Sequence, residues 1–134
     1  MKRTLIIILA IIGAGILIMV GLRFLSGPED TWVKDNRGVW IKHGAPTSTP
    51  KEVSQQQKLM IAAEKLYQQA KNANQDLSHG PCLGNADADT VVDIAHNPRE
   101  SIDNLSENQC QDYLEGKAHH FIELDPNGQI IRIN

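Results

Sequence analysis

The chain has 134 residues, 13 basic against 16 acidic, a formal net charge of −3 and only 4% aromatic side chains. Three of the basic residues, Lys2, Arg3 and Arg23, lie in the first 25, so residues 26–134 hold the remaining 10 against all 16 acidic ones, a formal charge of −6. That excess of negative charge argues against nucleic acid and against adhesion to an anionic bilayer surface, and no basic run or aromatic stacking platform opposes it. The length after residue 25 suits one small domain with a modest core.

From Leu5 to Leu22 the sequence LIIILAIIGAGILIMVGL carries no charged or strongly polar residue. A helix of that length spans roughly 27 Å, close to the hydrocarbon thickness of a bilayer. Phe24 and Leu25 extend the run, with Arg23 placed to reach the headgroups. A cleaved signal peptide has a shorter apolar stretch and a small-residue cleavage site, and no A-x-A pattern follows here. A buried core helix is the other bland reading. The run is therefore expected to be a transmembrane anchor over residues 5–25. Lys2 and Arg3 before it, and Glu29 and Asp30 after it, predict a cytoplasmic N-terminus over residues 1–4, with the rest outside. Within the span, Ala10 and Ala14 form a small-xxx-small pair, a weak signal for helix association.

Residues 26–50 read as a juxtamembrane hairpin and linker. TWVK and VWIKH flank the turn-like DNRG, so a β-hairpin is expected from Thr31 to His43. Trp32 and Trp40 are candidates for pairing across it, for a place at the membrane interface, or for packing on the domain. GAPTSTP is a linker by composition.

Residues 51–134 are expected to form a small exported α+β domain. Thr49, Pro50 and Glu52 fit a capping box, predicting a helix from about Pro50 to Asn74. Leu59, Ala63, Leu66, Ala70, Ala73 and Leu77 recur at heptad spacing, with Met60 and Tyr67 widening the stripe and Gln55 to Gln57 mostly outside it. The stripe either packs on its own domain or meets a partner. The candidate interaction surface is Leu59, Ala63, Leu66, Tyr67 and Ala70, for a protein partner or a second copy.

SHGPCLGNADAD reads as a loop from Ser78 to Asp89. Val91 to Ala95 is a short buried strand or a helical turn, ended by Asn97-Pro98. Ser106, with Gln109 three residues on, predicts a second helix start with Leu105 stapling against Cys110, and Gly116 stops that helix. HHFIEL and QIIRI around DPNG predict a closing hairpin, Ile122 and Leu124 on one face and Phe121 and Glu123 on the other. The whole is expected to be one long helix, one short helix and antiparallel hairpins.

EDTWVKDNRGVWIKHGAP after a single span resembles the juxtamembrane hairpin of small uncharacterised membrane proteins predicted in candidate-phylum bacteria. The tail VVDIAHNPRESIDNLSENQCQDYLEGKAHHFIELDPNGQIIRI is similar to the C-terminal part of such proteins. The resemblance implies the single-pass topology and carries over no functional residue.

Candidate chemistry is sparse. Cys82 and Cys110 are the two cysteines, and an even count in an exported domain points to a disulfide. The rival is Cys110 as a thiolate near a helix start, with His96, His119 or His120 as base. Nothing matches a cysteine-hydrolase signature and no C-x-x-C is present. If His119 and His120 lie in a strand they point to opposite faces, and with His43 and His79 they lack metal-ligand spacing, so no metal and no cofactor are expected. Asn85, Asp87, Asp89 and Asp93 mimic the start of a calcium loop, but Thr90 and His96 stand where it needs glycine and glutamate. The sequon at Asn104 has meaning only in a eukaryotic secretory pathway. No catalytic residue is assigned. The expected role is binding or assembly at the cell envelope, with a membrane-tethered thiol- or metal-dependent enzyme as the alternative.

Overall fold

A computed structural model describes residues 2–25 and 30–134. Helix α1, Lys2–Leu25, is followed by a two-stranded hairpin of β1, Thr31–Lys34, and β2, Trp40–His43. Among the described residues no helix is long and apolar enough to cross a membrane. The expected anchor over residues 5–25 falls partly outside that description, because the side chains of Leu5, Leu9 and Leu22 to Leu25 are not among the described ones.

The long helix, α2, runs over Lys51–Asn72. It begins later than the capping box predicts. Pro50 takes an extended conformation (ψ 154°) and stands at the cap itself, with no side-chain cap bond, so Thr49 does not cap and Glu52 lies one position too early for the box. At the other end Asn74 turns left-handed (φ 53°) and the N–H of Gln75 donates to the carbonyl of Ala70 at 3.0 Å. That closure releases the chain before Ala73 can join the stripe, and Leu77 reaches the core from the loop instead.

A four-stranded sheet lies beside α2 in the order β3-β4-β5-β6. Its strands are β3, Cys82–Asn85, β4, Thr90–Ile94, β5, His120–Leu124, and β6, Ile130–Ile133. Two expectations need correction here. The stretch from Ser78 to Asp89 is not all loop, since β3 starts at Cys82 and pairs antiparallel with β4. The sheet is mixed rather than antiparallel, because β4 and β5 pair parallel. A parallel pair cannot be joined by a tight turn and needs a crossover. Residues 95–119 supply it with a 3₁₀ turn, Ser101–Asn104, and one turn of helix, α3, Gln111–Leu114.

The second helix therefore starts at Gln111, with Cys110 at the cap, and not at Ser106. Leu105 is 44% exposed and does not staple to Cys110. Cys110 is held elsewhere, in a small cluster with Val91 and Ala118. Gly116 ends the helix as expected, in a left-handed turn (φ 68°).

Strand alternation sorts the side chains onto two faces. Val92, Ile94, Ile122 and Leu124 face α2 and form the main core with Ala63, Tyr67, Ala70 and Leu77. Val92 and Ile122 are completely buried, each worth about 1.5–3 kcal/mol of transfer free energy. The stripe read as a candidate interaction surface is thus the inner face of α2. Ala63, Tyr67 and Ala70 are buried and so closed to a partner, while Leu59 and Leu66, half-buried, pack against the same core. The tyrosine is satisfied inside the domain, its hydroxyl donating to the carbonyl of Pro126 at 3.2 Å. Its ring lies against Gly128 (φ 84°) in the β5–β6 turn, where a Cβ would sit 2.7 Å from Cε1.

The β1–β2 hairpin forms as predicted, with Asp35 N–H donating to Val39 at 2.9 Å across the turn. The tryptophans do not pair. Trp32 lies opposite Lys42, and Trp40 lies opposite Lys34, whose ammonium sits 5.4 Å from the Trp40 ring centre. Trp32 Nε1 donates to the carbonyl of Ser48 at 3.1 Å. Gln56 fastens the hairpin to α2. Its amide nitrogen donates to Gly38 at 2.8 Å and its oxygen accepts from Trp40 N–H at 2.7 Å. A glutamine from the run read as mostly outside the stripe is thus buried, with 8% of it exposed.

Replacing Gln56 by alanine leaves two backbone groups of the hairpin without partners. The expected cost is about 1–3 kcal/mol in urea unfolding, with faster amide exchange at Trp40 than at the core strands. Unchanged exchange at Trp40 would remove Gln56 as the fastener.

Candidate functional site

The sheet face turned away from α2 carries the polar chemistry. Register places Cys82 opposite Asp93, Asp93 beside Glu123, and Glu123 beside Arg132, one row across all four strands. The next row pairs Val91 with Phe121. The crossover roofs these rows. It is held down by a disulfide between Cys82 and Cys110 (Cα–Cα 4.9 Å), the pair expected from the sequence. Tyr113 on α3 packs edge-on against Phe121, with ring centres 5.5 Å apart. Sheet and roof border a half-open cavity of about 130 Å³.

Arg99, from the loop after β4, also reaches into this cavity. Its position is fixed by a buried aspartate. Asp103 accepts from the N–H groups of Glu100 (2.7 Å) and His96 (3.1 Å), and the His96 ring meets its other oxygen at 2.8 Å. Burial raises the Asp103 pKa, but these bonds outweigh it and hold the carboxyl below its ordinary value. The same contact raises His96. The Arg99 guanidinium then donates to Asn104 Oδ1 (3.0 Å), to the carbonyl of Asp103 (3.3 Å) and to Glu123 Oε1.

Glu123 is 5% exposed, and both its oxygens are occupied. Arg99 takes Oε1, and Arg132 Nε donates to Oε2 at 3.1 Å. The Arg132 guanidinium also stacks over Phe121 at 4.7 Å. Asp93 has no such partner. Its Oδ1 is buried with no hydrogen bond. Burial, and next the neighbouring charge of Glu123, push its pKa up to about 7, against the opposing pull of Arg99 and Arg132. The site therefore holds one neutralised carboxylate and one carboxyl that exchanges its proton near neutrality.

The other residues singled out from the sequence do not gather into a site. Asn85 donates to Asp112 (2.7 Å), Asp87 accepts from Asp89 N–H (2.9 Å), and Asp93 lies on the covered face, so the calcium-like oxygens diverge. His119 and His120 do not diverge as two strand residues would, because β5 begins only at His120. Both rings turn to Asp89, at 2.5 Å and 3.7 Å, on the exposed surface. The His119 bond is the main cause that lowers the Asp89 pKa. His79 meets Asp76 at 3.0 Å. Among the described residues no group of three His, Cys, Asp or Glu side chains is placed to hold a metal.

Sequence reasoning did not find Arg99, Arg132 or the pairing of Asp93 with Glu123. A signal was there: an acidic residue interrupts each of two apolar strand sequences, VVDIA and FIEL, on the phase opposite to the core. No family model, no curated protein and no solved structure matches the chain.

The raised Asp93 pKa has a defined sign in stability. From the ordinary carboxylate range up to about pH 7, the unfolded chain has lost this proton while the folded chain keeps it. Stability is full below that window, falls as pH rises through it, and levels off above. Asp93→Asn is expected to remove this fall and to stabilise the domain at pH 8 by a few kcal/mol, on the order of the shift. The slope that persists near neutrality belongs to His96, whose raised pKa gives the same sign. Urea unfolding between pH 4 and pH 8 checks this, and an unchanged pH profile in the variant would show Asp93 to be ionised throughout.

Proposed function

We propose that the chain is a single-pass protein of the cell envelope, held by α1 with its N-terminus in the cytoplasm, and that its α+β domain acts outside by binding or assembly. The observation that carries this reading is the Cys82–Cys110 disulfide. Such a bond persists where the surroundings are oxidising, and it leaves the domain's cysteines without a nucleophilic thiolate. Two further features support it. Helix α1 displays isoleucine, leucine and methionine on every side, with Ile6, Ile11, Leu17 and Met19 all more than half exposed, a surface suited to lipid. The charge balance across the segment has the sign of the positive-inside rule.

A thiol-dependent enzyme would require Cys110 in the reduced form. A partner, whether another protein or a second copy, would have to use a surface other than the inner stripe of α2.

Mass spectrometry on protein taken from its own membranes tests the reading, with free thiols alkylated during lysis. Alkylation only after reduction, together with a peptide linking Cys82 to Cys110, is expected. Alkylation of both cysteines without reduction would overturn both the external placement and the staple. In the purified protein, replacing both cysteines by alanine is expected to lower stability by about 3–4 kcal/mol, because the bridge closes a loop with a sequence separation of 28.

A further inference from the structure

We propose that the cavity between the sheet and the crossover is a binding site for a small neutral group that carries a hydrogen-bond donor and an acceptor side by side, of which a carboxamide is the type. The inference deepens the binding reading and rests on it only in that the bound group is held and not converted.

The missing donor comes first. Asp93 Oδ1 is buried in this cavity with no partner, and a buried polar atom without a partner costs free energy that a donor would recover. The acceptor follows from the arginine. Arg132 commits its Nε to Glu123, while its two terminal nitrogens, lying over Phe121, make no hydrogen bond with the described residues. A ligand that meets both must offer an N–H or O–H to Asp93 and an oxygen to Arg132.

Charge then narrows the class. The charged groups that face the cavity are Asp93 from β4, Glu123 from β5, Arg132 from β6 and Arg99 from the loop after β4, joined by the neutral polar side chains of Gln109 and Tyr113 from the crossover. A cationic ligand would meet two guanidinium groups. An anionic one would meet two carboxyl groups, one of which must then keep its proton. A neutral group with both functions avoids both conflicts. Space sets the size. The cavity of about 130 Å³ accepts a head group with a short stem, and Val91 and Phe121 give the stem an apolar wall.

The test uses the full chain in detergent micelles and three near-isosteric probes: propionamide, propionate and propylammonium. Each is titrated at pH 7.5 while the side-chain resonances of Asp93, Phe121 and Tyr113 are followed by NMR. Propionamide is expected to shift these resonances and to saturate in the millimolar range, which suits so small a fragment. Each charged probe is expected to bind at least about tenfold more weakly. Bound amide is also expected to lower the Asp93 titration midpoint, since its N–H stabilises the carboxylate, whereas bound propionate would raise it. Arg132→Met keeps the stem over Phe121 and is expected to abolish the amide response.

Propionate or propylammonium binding as well as propionamide would overturn the proposal. So would the absence of any response, which would leave the cavity to ordered water. These probe experiments use the unmodified protein, so a variant that fails to fold does not decide them. Release of propionate and ammonium from the amide in the same spectra would sink the binding-only reading while leaving the site in place. The thiol-trapping result bears on the external placement and on the staple, and not on which probe binds.

Discussion

Parallel pairing of β4 with β5 is the constraint from which the rest of the domain follows. Five residue pairs, from Thr90 with His120 to Ile94 with Leu124, set two distant segments side by side in one register. Because side chains alternate, that register makes two faces of opposite character. It puts Val92 beside Ile122 and Ile94 beside Leu124, under α2. It also puts Asp93 beside Glu123, under the crossover. A slip of β5 by one residue would drive Glu123 into the apolar core and turn Ile122 and Leu124 outward. The parallel sense demands a long connection, and the connection supplies Arg99, Cys110 and Tyr113 to the outer face.

The outer face is built from charges that are expensive to bury, and their order explains the loop around them. Glu123 is tolerable at 5% exposure because two guanidinium groups bracket its oxygens. Arg99 can do so only if residues 96–104 hold one shape, and Asp103 imposes that shape through two backbone N–H groups and the His96 ring. The disulfide ties the far end of the same crossover to β3. Asp93 is left with what remains, a buried place beside a carboxylate with one oxygen that no donor reaches, and so it takes up a proton more readily than an aspartate in water.

Much of this was readable from local patterns, and what was missed was non-local. The hairpins around DNRG and DPNG, the long helix, the stop at Gly116 and the cysteine pair each follow from residues close in sequence or from a count of two. The inner and outer residues of β5 were also legible, since alternation alone separates Ile122 and Leu124 from Phe121 and Glu123. The parallel sense of β4 and β5 was not, because no short-range signal tells a crossover from a string of turns. Without that pairing Asp93 looked like the tail of a calcium-like run, and Arg99 and Arg132 carried no local signal. Ser106 made a better cap on paper than Cys110, but the bond to Cys82 fixes where the chain can turn. Gln56 escaped notice because its partners, Gly38 and Trp40, belong to another element.

The hairpin of β1 and β2 has a mechanical meaning as well. Its two ends emerge together: Thr31 lies opposite His43, and Asp30 accepts from Ala45 N–H at 3.0 Å beside them. Tension between the N-terminal helix and the domain would therefore open the strands as a zipper, one pair at a time from that end, and not shear all the pairs at once. The Gln56 clasp sits at the turn and would yield last. Fully drawn out, residues 31–43 would lengthen the connection by roughly 40 Å at the reach of an extended chain. The element between α1 and the domain is thus also a stored length, let out pair by pair until the turn, tied to β6 by the Ile133 N–H on the Arg37 carbonyl at 2.8 Å, gives way.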